Sequence, residues 1–495
     1  MRPALLGLMA MNLMWESVPK NPEQKKLLAI AIAAIAIFLY SSGLAAGGAS
    51  PEGRVVPADE ILVKIKLGEP VVYDNIIVKD NLSSDRLRLP AKQILRIPFI
   101  VKVAPMDSPS VANSTVSITN STIEGWVDFK NTLFLKPISF KNTIFKHNSS
   151  FQNTTFSQES SFERSRFEEG ADFQKALFMG HANFSGSHIR GQANLDGSQF
   201  DGYASFIQSE FLGLVSWSGA IFKGAAGFQD SLFHDGAQFN STQFDSGCQF
   251  DDADFNGPAY FWRAVFSGPA SFNETQFQEV ASFSEAQFSA PTSFIKTDFN
   301  RSAVFAGSRF AGKASFMNVE FNSSTSFDKA GFEETSEFAN CTFRNTTDFS
   351  GSQFKEDSLF NDSVYVGLAD FLQTSFQGFA DFSGSKFAED ADFSHTRFEG
   401  PADFSRSQFE KNVSLYNAQF KRNAYLESCK ISRLNITGAE YPWIFLRWDS
   451  VGRFESDKKA YSCLLENYEN LGWQQDARNC NFGYDRRKAI LGEWD

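Results

Sequence analysis

From Phe129 onward a large, mostly apolar side chain recurs at alternating steps of five and six residues, through Phe134, Phe140, Phe145, Phe151, Phe156, Phe162 and Phe167 to Phe404, Phe409, Leu415, Phe420, Leu426 and Ile431. The walk covers 56 positions without a slip, and 49 of them are Phe. The exceptions, Ile189, Leu195, Trp217, Tyr365, Leu415, Leu426 and Ile431, are all large. Upstream, Ile123 and Ile118 keep the register. Two residues before nearly every position stands a small side chain, such as Ala171, Ala176, Ala182 and Ser187, with Thr, Val or Cys elsewhere.

Neither regular element can gather these positions into one core. An α-helix would put alternate Phe on nearly opposite faces, and a Gly-, Ser- and Asn-rich segment of this length has no helical propensity to support it. In a straight strand a five-residue step flips the side chain to the other face, whereas a six-residue step keeps it. A coil that turns a corner after every five or six residues resolves the conflict, because each short face aims its small residue and its Phe at the axis. The pattern therefore predicts a parallel solenoid. Each buried ring contributes about 1.5 to 3 kcal/mol before entropy is counted.

The segment ADFSGSKFAEDADFSHTRFEGPADFSRSQF, within residues 370–409, resembles the pentapeptide repeat family. That family places Ala, Ser, Thr, Val or Cys two residues before a central Leu or Phe. The resemblance covers residues 118–438 and implies an all-β solenoid, a right-handed quadrilateral parallel β-helix. With the four faces it implies, each coil takes about 22 residues, residues 118–438 make about 14 to 15 coils, and the stack is roughly 70 Å long at ~4.8 Å per coil. Phe272 is then predicted to stack on Phe250 and Phe294. Every second step here carries a sixth residue, as in the Phe-rich branch of the family.

The flanks lack the period. Residues 27–46 form an uncharged apolar run long enough for one bilayer span, preceded by Lys20, Lys25 and Lys26. The positive-inside rule puts residues 1–26 in the cytoplasm as a tail and, past a linker over 47–59, everything else outside. A cleaved signal sequence is the other reading of 27–46, and both export the solenoid. Residues 60–117 contain β-like runs, ILVKIKL, VVYDNIIVKD and RIPFIVKVA, and are expected to form an irregular β cap over the first coil. In 439–495 a helix capped by Ser456 or Asp457 presents Tyr461, Leu464, Leu465, Tyr468 and Leu471, then Gly472 turns the chain. Trp473, Ala477, Cys480 and Tyr484 give the second helix of a hairpin that is expected to close the stack through Trp443, Phe445 and Trp448.

Composition narrows the function classes. The 495 residues are 42% hydrophobic and 21% charged, which fits a folded chain, and 55 of them are Phe. The net charge of −12 argues against a nucleic-acid partner, which calls for basic surface. Residues 118–438 hold 38 acidic against 25 basic residues. The resemblance brings in DNA mimicry, by which some pentapeptide repeat proteins inhibit topoisomerases. The charge density, one per ~5 Å, is about a third of that of duplex DNA, and export separates the rod from such a target.

No nucleotide-binding, metalloprotease or hydrolase motif stands in the chain, so no catalytic, cofactor-binding or metal residue is assigned and no small-molecule substrate is expected. Asn-x-Ser/Thr sequons occur at Asn81, Asn113, Asn120, Asn148, Asn153, Asn183, Asn240, Asn273, Asn300, Asn322, Asn340, Asn345, Asn361, Asn412 and Asn435. The repeat itself manufactures some of these, since Asn suits coil corners and Ser and Thr abound. The others are candidates for glycosylation of an exported chain. Asp348, Asp370 and Asp392, and also Asp381 and Asp403, recur one coil apart and are expected to form outward carboxylate columns. Such columns could hold Ca²⁺, although solvated like charges are the plainer reading. His147, His181, His188, His234 and His395 are expected to be isolated surface residues. Cys248, Cys341 and Cys429 fall in the small inward slot, while Cys463 and Cys480 flank Gly472 almost symmetrically and are a candidate disulfide.

The favoured function is a non-enzymatic, membrane-anchored structural rod or scaffold at the cell surface, acting on an unidentified protein or surface-layer partner. The alternative is an exported module whose polar, flat faces bind carbohydrate or protein.

Overall fold

The computed structural model describes residues 53–87 and 110–491. The apolar run 27–46 and the segment RIPFIVKVA lie outside the described residues. Among the described residues no helix is long and apolar enough to cross a membrane.

The repeat folds as a right-handed parallel β-solenoid of about 17 turns. One coil shows the plan. Two-residue strands Cys248–Gln249, Asp254–Phe255, Ala259–Tyr260 and Val265–Phe266 form the first to fourth faces. Each pairs in parallel with its counterpart in the next coil: Cys248 with Ala270, Asp254 with Gln276, Ala259 with Ala281 and Val265 with Gln287.

Two kinds of corner explain the alternating steps. After Phe250 the chain makes a hydrogen-bonded turn in which Ala253 N donates to Phe250 O (3.0 Å) and Asp252 adopts a left-handed φ of 57°. A left-handed residue recurs at every second corner from Asn120, Asn131 and Asn142 to Ser428, and these turns carry the five-residue steps. After Phe255 the corner is one residue longer and contains Gly257 and Pro258. A Cβ on Gly257 would lie 2.3 Å from the carbonyl carbon of Asp235 in the preceding coil, so this wider corner still presses backbone on backbone. Pro258 needs no donor there, and Pro137, Pro269, Pro291 and Pro401 occupy the equivalent place at the other six-residue corner, half a coil away.

All 56 large positions are at most 3% exposed. Phe272 stacks between Phe250 (ring centroids 4.9 Å apart) and Phe294 (4.8 Å), as the spacing predicts. Within the axis Phe250 meets Phe261 edge to face, at 5.6 Å and 89°. The slot two residues earlier is small except at Ile138, which is nonetheless buried. At most tight turns with a polar slot the side chain bonds the preceding coil: Thr275 Oγ1 donates to Phe250 O (2.8 Å) and Thr297 Oγ1 to Phe272 O (2.7 Å). Two ladder positions carry a polar atom into the core. Trp217 stacks on Phe239 at 4.7 Å and Tyr365 between Phe343 and Phe387, yet neither Trp217 Nε1 nor Tyr365 Oη has a hydrogen-bond partner.

The described residues just ahead of the repeat, 53–87, join the coil and add a helix. Strands β1 (Arg54–Pro57), β2 (Val71–Asp74), β3 (Ile76–Lys79) and β4 (Leu82–Ser83) are themselves coil strands. β1 pairs with β3 at the usual one-coil offset, Arg54 with Ile76. β2 pairs Val71 with Val116, about twice that offset, which leaves room for an insertion between the two coils. The run ILVKIKL, β-like in sequence, lies in helix α1 (Ala58–Leu67). Ala58, Ile61, Leu62 and Ile65 share its buried side, a spacing that favours a helix over a strand, and left-handed Gly68 ends it by donating to Ile65 O (3.2 Å).

At the other end the offset shrinks, Ala424 pairing with Ile444 where the regular coil would reach two residues further. Helices α2 (Lys458–Asn470) and α3 (Gln474–Leu491) form the hairpin, with Asp457 capping α2 through Ala460 N (2.9 Å). Trp448 packs on Phe454 and Tyr461, and Phe445 on Trp473. Trp443, expected in this seal, is 38% exposed instead. The last edge is closed by a side chain: Asn467 Oδ1 accepts from Ile444 N (3.1 Å) and its Nδ2 donates to Ile444 O (2.9 Å), taking the place of another strand.

Two stability measurements follow from this core. Phe272→Ala should cost about 3 to 5 kcal/mol, whereas Glu274→Ala on the outside should stay within about 0.5 kcal/mol. Equal effects in denaturant unfolding would refute the register. Tyr365→Phe removes an unpaired buried hydroxyl without altering the ladder, and should raise stability by about 1 kcal/mol. A loss on the same curves would show that the hydroxyl has a partner.

Candidate interaction surface

With the inward positions committed to packing, any function falls to the outward ones. The carboxylate columns form as expected: Asp348 lies beside Asp370, Asp370 beside Asp392, and Asp381 beside Asp403. Each has a local structural task. Asp370 Oδ1 accepts from Leu372 N (2.9 Å), Asp392 Oδ1 from Ser394 N (2.8 Å) and Asp403 Oδ1 from Ser405 N (2.8 Å), so the carboxylates brace the tight turns that follow them. Burial raises the Asp370 pKa; the Leu372 N–H opposes this, and neighbouring Asp348 and Asp392 reinforce it. Among the described residues no group of three or more His, Cys, Asp or Glu side chains is placed to hold a metal ion.

The histidines are not isolated. His188 Nδ1 and His234 Nε2 flank the two oxygens of Glu210 at 2.7 and 2.8 Å, joining three coils. Burial alone would raise the Glu210 carboxyl, but the two imidazoles outweigh it and hold it below the usual range. His147 Nδ1 pairs with Glu169 (2.8 Å), His181 Nδ1 accepts from Tyr203 N (3.2 Å), and His395 lies against Tyr416. All of these contacts join neighbouring coils, a relation visible only once the coil size is known.

The five thiols are all free. Burial pushes Cys341 and Cys429 up to about 12 and Cys248 well up, as befits inert core positions. Cys463 and Cys480, the expected bridge, are unpaired in the hairpin; Cys480 is buried near Tyr461 O, and burial pushes it up to about 12.

The sequons sort by exposure. Asn113, Asn120, Asn148, Asn340 and Asn345 are exposed. Asn273, Asn322 and Asn412 are partly buried, with their Nδ2 groups donating to Ser271, Asn300 and Asp390.

One face departs from the expected flatness. Along the first face a groove of about 800 Å³ runs from Tyr203 to Glu337. Its floor is shallow-sided because the outward residues of successive coils are mostly small: Ser271, Ser293 and Ser315, with Gln249 before them. Pro269 and Pro291 form one rim, Ile295 and Met317 the other. At the near end Tyr203 and Ile207 lean over Gly227, where a Cβ would lie 2.7 Å from the Tyr203 hydroxyl. At the far end Lys313 and Glu337 form an ion pair (2.6 Å). A mean over the chain hides this feature; the run of small residues at one-coil intervals was the available signal.

The column predicts a pH effect. A raised carboxyl pKa means that the folded state holds the proton more tightly than the unfolded one, so the ionised form costs stability above the folded pKa and the cost fades as pH falls. Asp370→Asn keeps the oxygen that Leu372 needs, and should raise Tm at pH 7. The gain should vanish below the unfolded carboxylate value of about 3.9. An unchanged or lower Tm at pH 7 would remove the repulsion argument.

No curated protein matches the chain. A family model described as pentapeptide repeats (9 copies) matches it in overlapping stretches that together run from residue 140 to residue 430, more than half of its length. Its left-handed turns at every second corner, its four-faced coils and this match agree, and the chain belongs to the pentapeptide repeat family.

Proposed function

We propose that this protein is a non-enzymatic rod, tethered at the cell surface by one N-terminal span, that acts by presenting its faces to protein partners. The observation that carries the reading is the Phe-filled stack with a helix or helical hairpin over each end. Its interior is spent on packing, and its outward positions are free to vary. Proteins built on this repeat are generally structural or interaction modules. About 17 coils at ~4.8 Å give a stack of roughly 80 Å, long enough to carry a contact surface away from an attachment point.

The tether rests on sequence: the apolar run 27–46 behind Lys20, Lys25 and Lys26. The exposed sequons at Asn113, Asn148, Asn340 and Asn345 are compatible with export. Protease added to intact cells should cut between the run and the first coil, releasing the solenoid and leaving a short N-terminal fragment in the membrane fraction. Full-length protein that stays protected and fractionates with the soluble contents would overturn both anchorage and export.

A further inference from the structure

We infer that the groove on the first face, continued by the acidic strip beyond it, is a docking site for an extended polypeptide segment that is apolar at one end and carries Lys or Arg at the other. This rests on the reading of the protein as an interaction rod and names the surface and the partner chemistry.

The groove supplies the apolar half. Between Gly227 and Glu337 its rims are Pro269, Pro291, Ile295 and Met317, and its floor is at most a hydroxymethyl group high at Ser271, Ser293 and Ser315. Ser271 Oγ is engaged by Asp251 and Ser293 Oγ by Asn273. Ser315 differs: it is 8% exposed, lines the groove, and its Oγ has no partner. A buried hydroxyl left unpaired costs free energy that an incoming carbonyl would recover. A sugar is poorly served here, since most floor hydroxyls are taken and Tyr203 is the one aromatic lining the groove. A backbone in extended form suits a narrow channel with apolar rims and one waiting donor.

Charge supplies the other half and the direction. Past Glu337, whose charge Lys313 neutralises, the same face continues as Leu359, Asp381 and Asp403, with Asp357 at the adjoining corner. Among the described residues no cation pairs with Asp357, Asp381 or Asp403. These carboxylates lie on successive or alternate coils at ~4.8 Å spacing, a repeat that basic side chains of one extended segment can follow. From Gly227 to Asp403 the face spans eight coil spacings, roughly 38 Å, or about 11 to 12 extended residues.

The test is selection of a random peptide library of about 12 residues displayed on phage against the immobilised full-length chain. Selected peptides should share an apolar half followed by Lys or Arg. Ser293→Tyr fills the groove at an outward position, and the same face already carries Tyr425, so folding should be retained. It should weaken the selected peptides on the order of tenfold or more, while Ser282→Tyr on the third face should leave them unaffected. Asp381→Asn with Asp403→Asn should weaken binding and flatten its salt dependence. Peptides without the pattern, or insensitive to Ser293→Tyr, would overturn the groove while leaving an interaction rod that binds elsewhere. Failure to enrich any peptide over the Ser293→Tyr chain would also overturn it.

Discussion

The structure depends on a coincidence of two lengths. Hydrogen bonds between parallel strands set successive coils ~4.8 Å apart, and offset aromatic rings stack well at nearly the same separation. A ring at a fixed place in every coil therefore falls on its counterpart: Phe294 lies 4.8 Å from Phe316, and Phe316 4.8 Å from Phe338. Backbone pairing and side-chain packing impose the same repeat, so neither strains the other. An aliphatic ladder would meet the spacing too, but without the flat contact that lets rings from two faces also meet edge to face across the axis.

That agreement explains why so much of the fold was legible. The turning coil and its inward positions follow from the step lengths, because every position in the ladder repeats one local environment; the four faces come with the family resemblance, and the coil size and the stacking partners of Phe272 follow from them. The ends were harder, since no repetition averages out a misreading. Residues 61–67 offered β-branched residues suggestive of a strand, and the helical spacing of Ala58, Ile61, Leu62 and Ile65 ahead of Gly68 decided the matter. Asn467 gave no signal as a polar residue in a helix; its role comes from the bare strand edge at Ile444 that it meets.

The outer surface was legible only in part. The Asp columns could be placed from the coil size alone, but their use as turn braces follows from how each carboxylate bends toward the N–H two residues on. The Glu210 contacts with His188 and His234, and the groove, arise from side chains far apart in sequence whose reach the repeat does not determine. Average composition describes such faces as uniformly polar, and a short run of coils with mostly small outward residues is enough to make one of them concave.

The two periods of the molecule are not equal. The packing code, with its left-handed corners, returns after every half coil, whereas a given face returns only after a whole one. Loss or gain of one whole coil within the repeat changes the reach and leaves every column in line. A change of half a coil would leave the core equally well packed and yet rotate everything beyond it by half a turn, bringing the third face under the first. Surface continuity, and with it any contact running over several coils, is thus subject to a stricter rule than folding itself. Lineages that vary the number of repeats can preserve such a contact only by doing so in whole coils.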